Sequence, residues 1–130
     1  MATPSAGNSK RTVLVVDDEE EILESVRAYL EGAMTGIDVL TASSGAEAMR
    51  ILNHQAVDLI LADYRMPAQD GLAFLVEAER NWPDTPRIMM TAYPEAELAV
   101  NALQQAHVKR FLVKPIKPDI LNKYVRDLLG

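Results

Sequence analysis

The sequence contains no cysteine and only two histidines, and this shortage excludes several kinds of site. Without cysteine the chain forms no disulfide, offers no thiolate nucleophile and cannot bind zinc through thiolates. A chain without cysteine fits a reducing cytoplasm, which is the location that we expect. No apolar run approaches the roughly 20 residues that a membrane-spanning helix needs, so we expect no membrane partner.

The sequence also lacks an excess of basic residues and a glycine-rich loop. The net charge is −6, which argues against direct nucleic-acid binding, because that binding relies on lysine and arginine to neutralise phosphates. The acidic excess lies entirely in the first half of the chain: residues 1–65 hold 5 basic and 11 acidic side chains, whereas residues 66–130 hold 8 of each. No glycine-rich phosphate loop is present, so we expect no nucleotide ligand.

The length of 130 residues suits one compact domain. The opening segment MATPSAGNSK is small and polar, and it lacks the apolar centre of a signal peptide. We therefore predict a flexible leader over residues 1–10 and a single domain over residues 11–130.

Short apolar runs alternate with longer segments of helical period along this domain. Five strands are predicted, at residues 12–16, 37–42, 57–63, 87–92 and 110–114. A helical segment follows each strand; the first repeats Ile22, Val26 and Leu30 on one face, and the second opens with Ser44 and Glu47 at capping-box spacing. Because the strands are apolar throughout, we predict an α/β fold, a doubly wound (βα)5 three-layer sandwich around a five-stranded parallel sheet.

Ionisable and hydroxyl side chains end four of the five predicted strands. Asp17 and Asp18 end the first strand, Asp63 the third, Thr91 the fourth and Lys114 the fifth. Because ligands of open parallel sheets bind at the carboxyl ends of the strands, we expect these side chains to share one edge. Each has an ordinary alternative, as a helix cap, a turn residue, a strand former or a surface amine. Their coincidence at one edge favours a functional site.

Three neighbouring carboxylates repel one another unless a cation lies between them. Mg²⁺ (or Mn²⁺) prefers oxygen ligands and accepts one or two carboxylates together with water and phosphate oxygens. We expect Asp17 and Asp18 to bind this metal, whereas Glu19, Glu20 and Glu21 face water in the first helical turn, where negative charge is favoured.

A metal beside a carboxylate, a hydroxyl and an ammonium indicates phosphoryl chemistry, which depends mostly on positioning and electrostatics. Asp63 can act as the nucleophile, as carboxylates do when they form aspartyl phosphates. Thr91 and Lys114 would then hold the remaining phosphoryl oxygens.

The chain resembles the receiver domain of two-component response regulators, the family of the chemotaxis protein CheY. The resemblance covers about residues 11–129 and is carried by the segments VLVVDDE, LILADYRMPAQDG, IMMTAY and RFLVKP. It implies a flavodoxin-like sheet of strand order 2-1-3-4-5. It also implies partners: a sensor histidine kinase or histidine phosphotransfer protein as the donor, an output domain or effector protein as the target, and a phosphorylation-dependent homodimer.

The resemblance implies a role for each acid of the predicted edge. Asp63 would be the phosphoacceptor. Asp17 and Asp18 would bind Mg²⁺ together with Asp63 and the backbone carbonyl of Arg65. These roles agree with the ones reached from the residues alone.

The resemblance also implies a switch. Thr91 would be the hydroxyl that moves towards the phosphoryl group, and Phe111 the aromatic residue that turns inward with it. For Phe111, plain core packing is the alternative. Lys114 would contact the phosphoryl group, and its bond to Pro115 would be cis, an isomer open to X-Pro bonds at modest cost.

The resemblance also implies that three positions beside the predicted site set the lifetime of the phosphoryl group. Arg65 lies two residues after the phosphoacceptor, and Tyr93 lies two residues after Thr91. Ala92 is small, so it should leave the site open to a phosphodonor or phosphatase. We expect Arg65 and Tyr93 to alter self-dephosphorylation.

The function implied is a phosphorylation-activated signalling switch, which catalyses only its own phosphorylation and dephosphorylation and changes the face of helix four, strand five and helix five. One alternative is a Mg²⁺-dependent aspartyl-phosphate hydrolase of the haloacid-dehalogenase type. That chemistry needs a second acid two residues after a nucleophile on the first strand, whereas Asp18 follows Asp17 directly. Another alternative is an interaction module that needs no phosphorylation. The sequence leaves the output open, although the segment from Met89 to Pro115 favours an enzymatic output such as a cyclic-dinucleotide phosphodiesterase.

Overall fold

The computed structural model describes residues 10–65, 71–92 and 96–130, with the backbone alone for residues 96–98. Strands and helices alternate through the described residues: β1 (Arg11–Val16), α1 (Glu20–Ala33), β2 (Ile37–Ala42), α2 (Gly45–His54), β3 (Leu59–Asp63), α3 (Gly71–Asn81), β4 (Arg87–Thr91), α4 (Ala96–Ala106), β5 (Arg110–Val113) and α5 (Pro118–Leu129). All strand pairs are parallel, and the strand order is β2-β1-β3-β4-β5. The predicted fold and strand order are confirmed. The predicted leader lies, apart from Lys10, outside the described residues, so that boundary stays a prediction.

Alternate residues of each strand point to opposite faces of the sheet, and both faces are buried. In β1, Leu14 and Val16 pack with α2, α3 and α4, whereas Val13 and Val15 pack with α1 and α5. Each fully buried side chain of this size contributes roughly 1.5–3 kcal/mol to folding. The helices therefore form two outer layers, and only the ends of the strands remain open to a ligand.

The strand ends agree with the predicted ones to within one residue, except at the start of the third strand. Ser44 caps α2, since its hydroxyl accepts the Glu47 N–H at 3.1 Å. The third strand begins at Leu59 and not at residue 57 as predicted. Asp58 occupies the place before it, where its carboxylate accepts the Thr12 N–H at 2.7 Å and replaces a regular ladder bond.

At the end of the sheet where the strands begin, a single arginine connects two helices to the sheet. Arg87 opens β4 and is buried, only 2% exposed. Its Nε donates to the Ala106 carbonyl at 2.8 Å, and its Nη1 donates to the carbonyls of Thr85 at 2.6 Å and Trp82 at 3.4 Å. Because Ala106 ends α4 and Trp82 follows α3 directly, this side chain fixes both helix ends. In the sequence, Arg87 is visible only as a strand residue.

Candidate functional site

The carboxyl ends of the strands bring together the side chains that the sequence placed there. Asp17 follows β1, Asp63 ends β3, Thr91 ends β4 and Lys114 follows β5. Backbone hydrogen bonds hold these ends in register, since the Asp17 N–H donates to the Ala42 carbonyl at 3.1 Å and the Lys114 N–H donates to the Thr91 carbonyl at 2.8 Å. The geometry predicted from strand ends is thus present in the folded chain.

Lys114 is the centre of the cluster. Its Nζ lies 2.9 Å from Asp17 Oδ2, 2.9 Å from Asp63 Oδ1 and 3.3 Å from Glu19 Oε1. Its side chain is largely hidden between these acids and only 12% exposed. The surface-amine alternative for this lysine is therefore wrong.

The contact with Glu19 corrects one expectation. The helical pattern predicted that Glu19 faces water with Glu20 and Glu21, whereas its carboxylate pairs with Lys114 while staying 62% exposed. Glu19 precedes α1, and its N–H donates to Asp17 Oδ1 at 2.9 Å. The chain bends at Asp18, one residue earlier, and the Glu19 carboxylate lies beside Lys114, which helical period alone does not reveal.

Burial is the main influence on the pKa values of the two buried acids, Asp17 and Asp63. Burial raises the pKa of Asp17, and the hydrogen bond from the Glu19 N–H and the positive charge of Lys114 oppose that rise only in part. Burial also raises the pKa of Asp63, with the negative charges of Asp18 and Glu19 adding to the effect of burial. For Lys114, burial lowers the pKa, but the neighbouring negative charges of Asp17 and Asp63 outweigh it, so the net pKa lies above its ordinary value. The lysine is therefore a permanent cation at neutral pH.

The same acids fit a divalent metal ion. One carboxylate oxygen from each of Asp17, Asp18 and Asp63 can be chosen so that all three lie within 4.8 Å of one another. Asp17 Oδ2 is buried and, despite its ion pair with Lys114, accepts no well-directed hydrogen bond. A hard cation coordinated by oxygen would satisfy this atom and offset the mutual repulsion of the acids.

An open cavity of about 300 Å³ lies over these groups. Its lining comprises Asp18, Glu19, Asp63, Tyr64, Arg65, Thr91, Ala92 and Lys114. Ala92 and Arg65 are exposed at its edge, while Tyr93 lies outside the described residues, so the roles expected for these positions stay predictions. A larger groove of about 460 Å³ between α3 and α4 has one acid in its lining, Glu77, and so lacks the clustered carboxylates of the first cavity.

The backbone after Asp63 is fixed by a glycine to which the sequence gave no particular role. Gly71 opens α3, and its N–H donates to the Tyr64 carbonyl at 2.6 Å. A Cβ at this position would overlap the backbone carbonyl of Asp63. Only glycine permits this approach, and the sequence does not reveal such distances.

The expected switch residues lie between the site and the β5 side of the fold. Thr91 is buried, and Phe111 is half-buried against the core that contains Met89. Phe111 also lines an open cavity of about 260 Å³ with Val113, Ile120 and Tyr124. It therefore has both the core packing of the alternative and an opening beside it. The Lys114–Pro115 bond is cis, as the resemblance implied.

Comparison with known proteins agrees with this geometry. A sequence model described as the response regulator receiver domain matches residues 13–126. The hydrogenase transcriptional regulatory protein HoxA of Cupriavidus necator is 37% identical over 92% of this chain and 24% of its own length. The transcriptional regulatory protein GlrR of Escherichia coli is 38% identical over 90% of this chain and 26% of its own. The chain thus spans about a quarter of the length of these relatives.

Solved structures share the fold along almost the whole chain. The signal receiver domain of an HD domain-containing protein from Pseudomonas fluorescens superposes with a TM-score of 0.87 at 27% identity, covering 92% of this chain and 94% of its own. Among the described helices, none is long and apolar enough to cross a membrane. The chain belongs to the family of response regulator receiver domains.

Proposed function

We propose that Asp63 accepts a phosphoryl group from a sensor histidine kinase or a histidine phosphotransfer protein, and that the chain acts as a phosphorylation-activated switch in the cytoplasm. The observation that carries this proposal is the contact of 2.9 Å between Lys114 Nζ and Asp63 Oδ1, inside a cluster of three aspartates. A buried carboxylate beside a cation and an open cavity can both react with a phosphodonor and hold the product.

The reaction transfers one phosphoryl group. A carboxylate oxygen of Asp63 attacks the phosphorus of phosphohistidine, and the P–N bond breaks as the O–P bond forms. The electron pair of the P–N bond goes to the imidazole, which takes up a proton. Water later attacks the same phosphorus, which releases inorganic phosphate and a proton and restores the Asp63 carboxylate.

The residues around Asp63 contact the phosphoryl oxygens or would bind the metal. Lys114 neutralises charge that develops on the phosphoryl oxygens, and Thr91 offers a hydroxyl to the same oxygens. Asp17, Asp18 and Asp63, with the Arg65 backbone carbonyl, would hold Mg²⁺ or Mn²⁺. When bound, this metal offsets the negative charge of the transferred group.

The output surface of the switch is the face formed by α4, β5 and α5. Among the described residues, the exposed large apolar side chains are Val100, Leu103, Val113 and Ile120, and all lie on this face. Phe111 lies beside them, so its rotation with Thr91 would change the shape of the surface. The target is an output domain or an effector protein, and a phosphorylation-dependent homodimer is the second candidate for the same face.

Labelling with acetyl phosphate and Mg²⁺ tests the proposal. We expect one phosphoryl group per chain in intact-mass spectrometry, with the modified peptide containing Asp63. Asp63→Asn should abolish labelling, whereas Asp84→Asn should retain it, because Asp84 is an exposed acid in the α3–β4 connection at the opposite end of the sheet.

Other results would favour the alternatives. Release of many equivalents of phosphate from varied phosphoesters would indicate a hydrolase. Complete absence of labelling, with the fold intact by circular dichroism, would refute the switch and favour an interaction module that needs no phosphorylation.

A further inference from the structure

Three carboxylates surround the ammonium group of Lys114 in the resting chain. An ammonium group has three N–H donors and no acceptor. Asp17, Asp63 and Glu19 each place one carboxylate oxygen within 3.3 Å of Nζ. The number of surrounding carboxylates equals the number of donors, so a phosphoryl oxygen that arrives at Lys114 competes with one of these carboxylates for a place beside Nζ.

The three carboxylates differ greatly in how easily they can leave. The Asp17 side chain is fully buried, and the Asp63 side chain, which carries the incoming group, is 8% exposed. The Glu19 side chain is 62% exposed, and its contact with Nζ is the longest of the three at 3.3 Å. Because exposed ion pairs contribute little and a free glutamate regains its hydration, Glu19 is the carboxylate that is released at least cost.

We propose that Glu19 occupies the phosphoryl position on Lys114 in the resting protein and is displaced when Asp63 is phosphorylated. Glu19 is thus a positioning residue that acts through Lys114, and its carboxylate is an internal competitor of the phosphoryl group. This inference rests on the proposed function. It predicts that the resting state is held against adventitious phosphorylation by small anionic donors.

The competition has a kinetic consequence. When acetyl phosphate reacts, an Asp63 oxygen forms the new O–P bond, the donor P–O bond breaks, and acetate leaves with the electron pair. Glu19 must vacate Lys114 before the transferred oxygens can contact it. Removing this carboxylate should lower the donor concentration at half-maximal rate more than it changes the maximal rate.

Variants of two neighbouring glutamates separate this contact from charge in general. Glu19→Gln removes the competing charge, and Glu19→Asp keeps the charge on a shorter side chain. Glu20→Gln is the matched control, because it removes the same charge one residue later on α1 and the described ion pairs of Lys114 do not include Glu20. Labelling rates at several acetyl phosphate concentrations would be measured for all variants. The affinity for beryllium fluoride, a phosphoryl mimic, would be measured with Mg²⁺ present.

We expect Glu19→Gln to lower the half-maximal acetyl phosphate concentration and the beryllium fluoride Kd by about three- to fivefold, the size of effect that a partly exposed ion pair supplies. Glu19→Asp should shift both values in the same direction, and Glu20→Gln should leave both near the wild-type values.

Equal shifts in Glu19→Gln and Glu20→Gln would overturn the inference, because they would reveal general charge repulsion. Weaker binding in Glu19→Gln would also overturn it, since Glu19 would then be holding Lys114 in place for the reaction. If the wild-type protein is labelled normally and the variants do not differ, only this inference fails. If wild type is not labelled, the proposed function fails as well.

Discussion

Among the described residues, each end of the sheet holds one cation largely inside the fold, and the partners of these two cations differ in kind. Lys114, at the carboxyl ends of the strands, faces three carboxylates. Arg87, at the opposite end, donates to three backbone carbonyls. Carbonyls of the folded backbone cannot leave, whereas a side-chain carboxylate can rotate away or accept a covalent group. A cation among carboxylates can therefore take part in a switch, and a cation among carbonyls can only hold a structure.

Electrostatics separates the two cations in the same way. Burial lowers the pKa of Arg87, and only the charge of Glu79 opposes it, because carbonyl dipoles do not replace a full negative charge. The pKa of Lys114 rises despite burial, because Asp17 and Asp63 supply full charges. At the carboxyl end of the sheet a cation contacts full negative charges. At the other end a cation donates hydrogen bonds to neutral carbonyls.

The largest expected effect comes from removing Arg87, the cation that donates to backbone carbonyls. Arg87→Met should lower the free energy of unfolding by about 3 kcal/mol, since it leaves three carbonyls without their charged donor. Added Mg²⁺ should not restore this loss, because the acids are at the other end of the sheet. Urea denaturation with and without Mg²⁺ measures both effects.

Arg80→Met, on the exposed surface of α3, is the control for the loss of an arginine. It should change stability by less than about 0.5 kcal/mol. If the loss in Arg87→Met matched that of the control, Arg87 would not be the structural tie that its contacts indicate.

The second prediction concerns Lys114, the cation that contacts carboxylates. Lys114→Met should lower stability by about 2 kcal/mol in the absence of metal, because Asp17 and Asp63 lose their shared cation. Millimolar Mg²⁺ should restore most of that loss, since a divalent ion supplies the missing charge between the same acids. Thermal unfolding with EDTA and with Mg²⁺ would measure the difference. Lys117→Met, at an exposed position three residues later, should show neither effect.

Lys114 and Arg87 also show how much of the structure the sequence predicts. The residue that ends each strand is visible in the sequence, so the cluster of Asp17, Asp63, Thr91 and Lys114 could be predicted from strand ends alone. The hydrophobic period of the sequence and the residues that end its strands do not reveal which groups contact a buried charge. Arg87 therefore resembles an ordinary strand opener in the sequence, and only the fold supplies its carbonyl partners.

Two further contacts depend on local geometry that no residue pattern encodes. Glu19 reads as the first of three exposed glutamates, and only the bend before α1 brings it to Lys114. Gly71 has no particular role in the sequence pattern, although it permits the close approach to the Asp63 carbonyl. The boundary at residue 57 failed for a related reason, because the Asp58 side chain replaces a ladder bond that an apolar run would lead one to expect.

A smaller effect tests how strongly burial, with the neighbouring negative charges of Asp18 and Glu19, disfavours the charge of Asp63. Asp63 has a pKa above its ordinary value of 3.8, so its ionised form is less stable in the folded protein than in the unfolded chain. The stability linked to this group is present below pH 3.8 and is lost as pH rises through the raised pKa. Asp63→Asn removes the charge and should stabilise the metal-free protein on the order of 1 kcal/mol at neutral pH.

The difference in unfolding free energy between Asp63→Asn and wild type should shrink towards zero as the pH falls to 3.8. Urea denaturation in EDTA across this pH range measures it, and the subtraction removes the contributions of the other acids. A difference of the opposite sign, with wild type more stable at neutral pH, would mean that Lys114 compensates Asp63 fully.

The smallest expected effect concerns a third cation, which is exposed. Arg65 lines the cavity over Asp63 at its open edge, whereas Arg87 and Lys114 are held inside the fold. Because a guanidinium at the cavity edge obstructs the approach of water, Arg65→Ala should speed hydrolysis of the phosphorylated protein about two- to threefold, which corresponds to less than about 0.7 kcal/mol in the barrier. Loss of label after removal of the donor measures the rate, with Arg80→Ala as the control. Equal decay rates in Arg65→Ala and wild type would show that the exposed guanidinium does not affect the hydrolysis rate. The comparison of cations would then rest on Arg87 and Lys114.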